Sequence, residues 1–161
     1  MKNLELKISD KLNNKAEILM ETLPFMRRYT NKVIVVKFGG HAMGKKEYIK
    51  SFAQDISLLQ QVGILPIVVH GGGPQIGEML KKLKIESNFV DGLRITDEAT
   101  IDVVEMVLCG VINKNIVSAI STEGANAVGI SGKDGNLISA KRLSIIDKNS
   151  DSNLENIVDL G

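Results

Sequence analysis

The stretch Ile64–Pro74 reads ILPIVVHGGGP, an apolar run that stops at three consecutive glycines. The run predicts a buried strand, and the glycines predict a tight turn after it. Pro74 fits the first position of a helix, whose apolar residues recur at helical spacing at Ile76, Met79, Leu80 and Leu83. The glycines therefore lie between a strand end and a helix N-terminus, where backbone N–H groups bind anions. A sharp turn without a ligand is the alternative that this stretch alone leaves open.

A second stretch of the same design precedes it, Val33–Gly40, which reads VIVVKFGG and carries Lys37 near the strand end. Between the two, residues 45–61 show apolar side chains at helical spacing, and Gly63 suits the position just after a helix. A strand, helix, strand unit of this kind makes its two strands parallel. Both glycine loops should then lie at one edge of an open sheet, which is where such sheets bind ligands.

The totals of the sequence limit the classes of protein that fit. The chain has 161 residues, enough for one domain, with 43% hydrophobic and 24% charged residues. Twenty basic and nineteen acidic side chains leave no net field that would favour nucleic acid or a membrane surface. Cys109 is the single cysteine, so we expect a buried thiol and no disulfide. We expect no signal peptide and no run of membrane-spanning length, and we predict a cytoplasmic protein.

Residues 1–30 are predicted to form an N-terminal helical arm, and residues 31–161 the ligand-binding lobe. Asp10 is the expected N-cap of an amphipathic helix that reaches Leu23. Pro24 should kink or restart this helix, whose apolar face continues to Tyr29. The arm precedes the first core strand, so it either covers the sheet or reaches a partner subunit.

The second half of the chain alternates helix, strand and turn signals. Residues 85–96 predict a hairpin that turns at Asp91-Gly92 and places Arg94 on the returning strand. Thr96 is the expected cap of a helix that is interrupted at Gly110 and ended by Gly124. Further strands are predicted over 127–130 and 137–143, followed by a polar loop over 147–156. The apolar run that begins at 157 predicts a strand start and suggests that the chain has been cut.

Two glycine loops with a lysine at a strand end favour phosphoryl transfer, because protein groups must neutralise charge on the phosphoryl oxygens. Arg94 would hold a carboxylate bidentately, although a surface arginine on a hairpin is the alternative. The sequence has no GxxxxGK[ST], GxGxxG or GxSxG motif, which argues against a Walker-type loop, a dinucleotide-binding protein and an esterase. His41 and His70 show no metal-ligand spacing, so no protein-bound metal is predicted.

Five motifs together resemble the N-acetylglutamate kinases of the amino-acid kinase family: VIVVKFGGHAM, IVVHGGGPQI, FVDGLRITD, VEMVLCGVINKNIV and AVGISGKDGNLI. The resemblance implies a three-layer αβα sandwich with a mainly parallel central sheet. It also implies ATP-dependent phosphorylation of the γ-carboxylate of N-acetyl-L-glutamate in arginine biosynthesis, with Mg²⁺ as the counter-ion of the nucleotide.

The same resemblance assigns roles to individual residues. It implies that Lys37 stabilises the transferring phosphoryl group and that Arg94 holds the α-carboxylate of the substrate. Backbone N–H groups of Gly72 and Gly73 would bind the substrate. The phosphate-site loop would consist of Gly39, Gly40 and Gly71.

Members of the resembled family are nearly twice as long as this chain, so the resemblance implies that most of the nucleotide pocket lies outside it. We therefore expect the chain alone to be inactive, and a non-catalytic module that only binds the amino acid remains the alternative. The arm is similar to the extension of arginine-inhibited hexameric members. This similarity implies a homo-oligomer, a dimer or a hexamer, with arginine as an effector.

Overall fold

Two parallel strands, β1 (Val33–Phe38) and β2 (Leu65–His70), form the pair that the glycine stretches predicted. The computed structural model describes residues 2–90, 92–141, 144–147 and 156–159. The strands pair in register from Val33 opposite Leu65 to Phe38 opposite His70. Helix α2 (Lys46–Gln61) connects them, so the unit is a strand, helix, strand crossover. Gly63 follows α2 with φ 83°, which confirms it as the left-handed residue after the helix.

The N-terminal arm is one helix, α1 (Lys2–Tyr29), with Pro24 inside it. Two expectations were wrong: the helix begins well before Asp10, and Pro24 neither kinks it into two elements nor restarts it. Pro24 removes one intrahelical hydrogen bond, and the carbonyl that it leaves unpaired belongs to Met20, whose side chain is exposed. Water can satisfy that carbonyl, so the helix continues through the proline.

Helix α3 (Gly73–Leu83) follows the three glycines, and a short hairpin comes next, with strands β3 (Phe89–Val90) and β4 (Leu93–Arg94). The hairpin is confirmed, with antiparallel pairing of Phe89 and Arg94 and with Gly92 at φ 77° in the turn. Helix α4 (Glu98–Glu105) then begins one residue later than predicted. Its N-cap is Asp97, whose Oδ1 accepts from the Thr100 backbone N–H at 2.8 Å, whereas the Thr96 hydroxyl donates to the Arg94 carbonyl.

Helix α4 continues without a break through a π-helical segment, Met106–Ile112, into α5 (Asn113–Thr122). The predicted interruption at Gly110 is therefore a change of helix type, and Gly124 follows the helix with φ 91° as expected. The span Glu98–Thr122 is long and apolar enough to cross a membrane by length and composition alone, so the expectation that no such run exists was wrong. A core helix can have the same length and apolar composition, and one stripe of this helix is buried in the core.

The segment 125–130, predicted as a third core strand over 127–130, is not hydrogen-bonded into the sheet. Side chains hold it instead: the Gln60 amide donates to the Asn126 carbonyl at 3.0 Å and accepts from the Asn126 N–H at 2.9 Å. Residues 137–141 are likewise not a strand, and strand β5 lies at Ser144–Asp147, paired antiparallel with β6 (Asn156–Asp159). The polar loop predicted over 147–156 lies almost wholly outside the described residues.

Helices α2 to α5 pack on one face of the β1–β2 pair, and the α/β class with parallel strands is confirmed. Phe38 points into this core and stacks on Phe52 of α2, with ring centroids 3.9 Å apart. The remaining buried members come from the helices, chiefly Ala53, Ile56, Leu80, Val107, Ile116 and Ile120. The alternate residues of both strands, from Val33 and Leu65 onward, face the other way and are about half exposed. This packing places the ends of β1 and β2 beside the N-terminus of α3.

Candidate functional site

The two glycine loops meet at the carboxyl edge of the β1–β2 pair. Phe38 and His70 are the last register partners of the ladder, so Gly39 and Gly71 leave the sheet side by side. A Cβ atom placed on Gly39 would lie 3.9 Å from the Gly71 backbone nitrogen. Gly40 opens the short 3₁₀ turn Gly40–Gly44 that leads into α2. The sequence-based prediction that both loops share one edge is therefore confirmed.

The N-terminus of α3 opens onto the same edge. Gly72 is the N-cap and Gly73 the first helical residue, so Pro74 occupies the second position instead of the first. The first intrahelical hydrogen bond runs from the Ile76 N–H to the Gly72 carbonyl at 2.9 Å. The N–H groups of Gly73 and Gln75 precede this bond, so the helix does not use them. Such N–H groups, at the positive end of the helix dipole, form an anion-binding site.

Lys37 lies one residue before the end of β1, opposite Val69 of β2. Its neighbour Phe38 is buried on the helix-covered face, so Lys37 lies on the open face of the sheet, and it is exposed. The Lys37 ammonium is thus carried by the strand that ends in the Gly39 loop. A cation here can reach an anion that lies over the carboxyl edge.

Arg94 is half-buried and held by three neighbours. Its Nη1 donates to the Ser87 hydroxyl, and its guanidinium carbon lies 4.5 Å from the centroid of the Phe89 ring. A Cβ atom on Gly77 of α3 would lie 3.9 Å from Arg94 Nη2, so the guanidinium lies beside the first turns of α3. The hairpin therefore places the planar guanidinium, held by these contacts, beside α3, the helix that begins at Gly73. This environment argues against the alternative of a solvated surface arginine.

The loop 131–135, which reads SGKDG, is closed by its own hydrogen bonds and joined to the long helix by one ion pair. The Asp134 carboxylate accepts from the Ser131 backbone N–H at 2.5 Å and from its hydroxyl at 2.9 Å, and these bonds lower the pKa of Asp134. Lys133 forms an ion pair with Glu105 at the end of α4, and this partner raises the pKa of Lys133. The loop is thereby tied to the residue that directly precedes the π-helical segment.

Asn113 and Lys114 contact this region, although the sequence analysis did not single them out. The Lys114 ammonium donates to the Gly129 carbonyl at 3.2 Å, and Asn113 Nδ2 donates to the Ile130 carbonyl at 3.4 Å. A Cβ atom on Gly129 would lie 1.8 Å from Asn113 Oδ1, so only glycine permits this approach. Asn113 and His70, but not Lys114, line a cavity of about 310 Å³ between β2, α5 and the segment 126–130. The signal in the sequence was the polar NKN in an otherwise apolar helix.

Comparisons with known proteins give a family match and several named relatives. The family model described as "Amino acid kinase family" matches residues 32–161. A protein named acetylglutamate kinase from Rhizorhabdus wittichii is 59% identical over 93% of this chain and 50% of its own length. Proteins of the same name from Rhodospirillum centenum and Saccharophagus degradans are 56% and 58% identical over 91% of this chain. The chain spans about half the length of these curated relatives.

A solved structure shows the same fold at lower sequence identity. It is the N-acetylglutamate synthase of Neisseria gonorrhoeae complexed with coenzyme A and N-acetyl-glutamate. The TM-score is 0.66 at 21% identity, over 88% of this chain and 30% of the synthase chain. At this identity the likeness supports the fold alone.

Proposed function

Because the chain belongs to the amino acid kinase family, we propose that it is the amino-acid-binding lobe of an acetylglutamate kinase. Such an enzyme transfers the γ-phosphoryl group of ATP to the γ-carboxylate of N-acetyl-L-glutamate. The observation that carries the proposal is the convergence of the Gly39 and Gly71 loops beside the N-terminus of α3, with Arg94 next to that helix. The names of the relatives, 56 to 59% identical, support the same substrate pair.

In this proposal the substrate lies over the N-terminus of α3. The backbone N–H groups of Gly72 and Gly73 donate to its carboxylate oxygens, and the helix dipole favours the negative charge. Arg94 holds the α-carboxylate. Its guanidinium carries five N–H donors, and one goes to Ser87, so further donors are available for bidentate contact. The Phe89 ring under the guanidinium fixes its plane before the substrate arrives.

The phosphate side of the site consists of Lys37 and the loop Gly39, Gly40 and Gly71. These residues fit the phosphate end of a nucleotide, because the glycines allow backbone N–H groups to approach closely and Lys37 adds a positive charge. Bound ATP would supply the phosphoryl group and the ADP leaving group. We propose that Mg²⁺ arrives with the nucleotide. Within residues 13–39, 42–89 and 92–141, no three histidine, cysteine or acidic side chains cluster.

The reaction needs no general base. A carboxylate oxygen forms the new bond to the γ-phosphorus while the bond from that phosphorus to the bridging oxygen of ADP breaks. The products are an acyl phosphate and ADP, and no proton has to leave the nucleophile. The protein's contribution is to hold two anions in line and to neutralise charge on the transferring oxygens. An ammonium about 4 Å from an oxygen in a closed cleft contributes roughly 4 kcal/mol before desolvation, against about 1 in bulk water.

The experiment uses the chain as it stands and the chain fused to the unmatched half of the Rhizorhabdus wittichii relative. Each is incubated with ATP, Mg²⁺ and N-acetyl-L-glutamate, and hydroxylamine traps the acyl phosphate. We expect product from the fusion and none from the chain alone. A fusion that folds but gives no product refutes the proposed kinase activity. If that fusion still binds N-acetylglutamate, the function that remains is that of a non-catalytic amino-acid-binding module.

Arg94→Lys in the fusion tests the substrate clamp. Lysine keeps the charge but loses the bidentate geometry, so a charge-assisted hydrogen bond of roughly 1.5 to 3 kcal/mol is lost. This predicts a rise of about ten- to 150-fold in KM for N-acetylglutamate, with KM for ATP unchanged. Lys84→Arg, on the exposed end of α3, is the control for a change of basic side chain. An unchanged KM in Arg94→Lys would remove Arg94 from the site.

We further propose that α1 joins subunits into a dimer or hexamer and that arginine acts through this arm. Four of its apolar side chains, Ile18, Leu19, Met20 and Phe25, are more than half exposed, so the arm does not pack these four on its own sheet. A surface of this kind requires a cover. Deleting residues 1–26 should lower the oligomer mass in light scattering and abolish inhibition of the fusion by arginine. An unchanged mass refutes the role of the arm in assembly.

We place the protein in the cytoplasm, where both substrates of the proposed reaction are available. Cys109 is a partly buried free thiol in the π-helical segment, and it is the single cysteine of the sequence. A reducing compartment suits such a thiol. Fractionation of cells with an antibody to this chain would test the location.

A further inference from the structure

The long helix Glu98–Thr122 contains one extra residue relative to the spacing of its buried stripe. Its buried apolar positions are Val103 in α4, Val107 and Ile112 in the π-helical segment, and Ile116 and Ile120 in α5. Every step in this stripe is four residues except the one from Val107 to Ile112, which is five. Val111, which an α-helix would bury next, is 46% exposed. The segment absorbs the extra residue, because the Asn113 N–H donates to the Leu108 carbonyl five residues back.

The π-helical segment packs directly against the glycine loop. A Cβ atom on Gly72 would lie 2.5 Å from Ile112 Cδ1 and 2.7 Å from Leu108 Cδ2. The φ of Gly72 is 176°, outside the left-handed region that favours glycine. Leu108 and Ile112 disfavour a side chain there, because both would have to move to admit one. Gly72 is buried in this contact, whereas its neighbours Gly71 and Gly73 are exposed.

We propose that the π turn is a positioning element for the substrate-binding N–H groups, and that Leu108 and Ile112 act by holding Gly72 in place. This inference rests on the proposed function. One side of the Gly72 backbone is closed by the two side chains, and the preceding residue, Gly71, lies at the shared edge of the glycine loops. The N–H groups of Gly72 and Gly73 are thereby fixed before a carboxylate arrives, which lowers the cost of ordering on binding.

The stripe explains why the turn can be removed without loss of the core. Deleting Gly110 makes every step of the stripe four residues, so the same apolar residues stay buried in a continuous α-helix. The deletion also takes out a helix-interior glycine, which favours the helix. Leu108 and Ile112 would then be three positions apart instead of four, and their side chains could no longer both contact Gly72 as they do now. This one variant therefore keeps the buried stripe that folding needs and removes the contacts that hold Gly72.

The test compares three variants with the parent. Deletion of Gly110 removes the π turn, and Leu108→Ala removes one of the two contacts with Gly72. Gly110→Ala is the matched control, since it keeps the chain length, and an added Cβ there meets nothing within 4 Å. The dissociation constant for N-acetyl-L-glutamate is measured on the chain itself from the NMR shifts of the Gly72 and Gly73 amides. KM and kcat are measured on the fusion described above.

We expect the deletion to weaken binding and to raise KM for N-acetylglutamate at least tenfold, with KM for ATP unchanged. Leu108→Ala should give about a threefold rise in the same direction, and Gly110→Ala none. A folded deletion variant with unchanged binding and KM overturns the inference. If the deletion variant does not fold, Leu108→Ala decides by the same criterion. A parent that neither binds nor phosphorylates N-acetylglutamate overturns the proposed function first, whereas an active parent with unaffected variants overturns only the positioning role.

Discussion

Replacing Gly72 by alanine tests the packing at the centre of the site through stability alone. The added Cβ would lie 2.5 Å from Ile112 Cδ1 and 2.7 Å from Leu108 Cδ2, closer than carbon atoms pack. Both opposing atoms are ends of flexible side chains, so they can move aside, but each move disturbs a buried cluster. Overpacking of this kind costs about 1 to 3 kcal/mol. Alanine is also a poorer N-cap than glycine, which lowers stability further.

The two contributions can be separated with a second substitution. Ile112→Val removes the Cδ1 atom that lies 2.5 Å from the added Cβ, at its own cost of about 0.5 to 1.5 kcal/mol. The loss of the cap is the same with isoleucine or valine at position 112, so it cancels in a double-mutant cycle. We expect the double variant to be more stable than the sum of the single variants predicts, by about 1 kcal/mol.

Urea unfolding of the chain itself measures these differences. With a slope of roughly 2 kcal/mol per molar urea, a loss of about 2 kcal/mol lowers the midpoint by about 1 M. Gly73→Ala is the matched control, because an added Cβ at the next residue meets nothing within 4 Å. Equal midpoints for Gly72→Ala and Gly73→Ala, together with additive effects in the cycle, would refute the close packing of Gly72 against the π-helical segment.

Three further predictions concern the rest of the chain. Gly63→Ala should lower the melting temperature more than Gly124→Ala does. Both glycines have positive φ, so each substitution costs roughly 1 to 2 kcal/mol of backbone strain. At Gly63 the added Cβ would also lie 3.1 Å from Thr30 Cγ2, whereas at Gly124 it meets nothing within 4 Å. Asp97→Ala should lower the urea midpoint at neutral pH. Hydrogen bonds from Thr100 lower the pKa of Asp97 in the folded protein. The carboxylate therefore stabilises the fold above its unfolded pKa, and this stabilisation is lost as pH falls through its folded pKa. The difference in urea midpoint between Asp97→Ala and the parent should therefore narrow in acid. A difference that stays constant with pH would contradict this. Lys133→Gln should lower stability slightly at neutral pH, because it removes the ion pair with Glu105 that raises the pKa of Lys133. The stability difference between variant and parent should vanish as pH rises through the folded pKa of Lys133. High salt should reduce the same difference by screening the pair.

The local signals in the sequence were enough to predict the parallel strand pair and its two glycine loops. The continuous apolar runs and the glycines that end them indicate where β1 and β2 lie, and the register, which pairs Phe38 with His70, brings Gly39 and Gly71 together. The hairpin that carries Arg94 was also predicted, since the Asp91-Gly92 turn depends on neighbouring residues only. These elements carry most of the candidate site, and each is decided within a few residues of chain.

Other features depend on contacts with residues far along the chain, and these were decided by the tertiary structure. The segment 127–130 has the composition of a strand, yet Gln60, Asn113 and Lys114 hold that region by side-chain contacts and it forms no ladder with β2. Asp97 rather than Thr96 caps α4 because its carboxylate reaches the Thr100 N–H, a choice between adjacent residues that spacing does not settle. The need for glycine at position 72 is the clearest case. Its φ lies outside the left-handed region that favours glycine, and it is the approach of Leu108 and Ile112, from a helix far along the chain, that disfavours a side chain there.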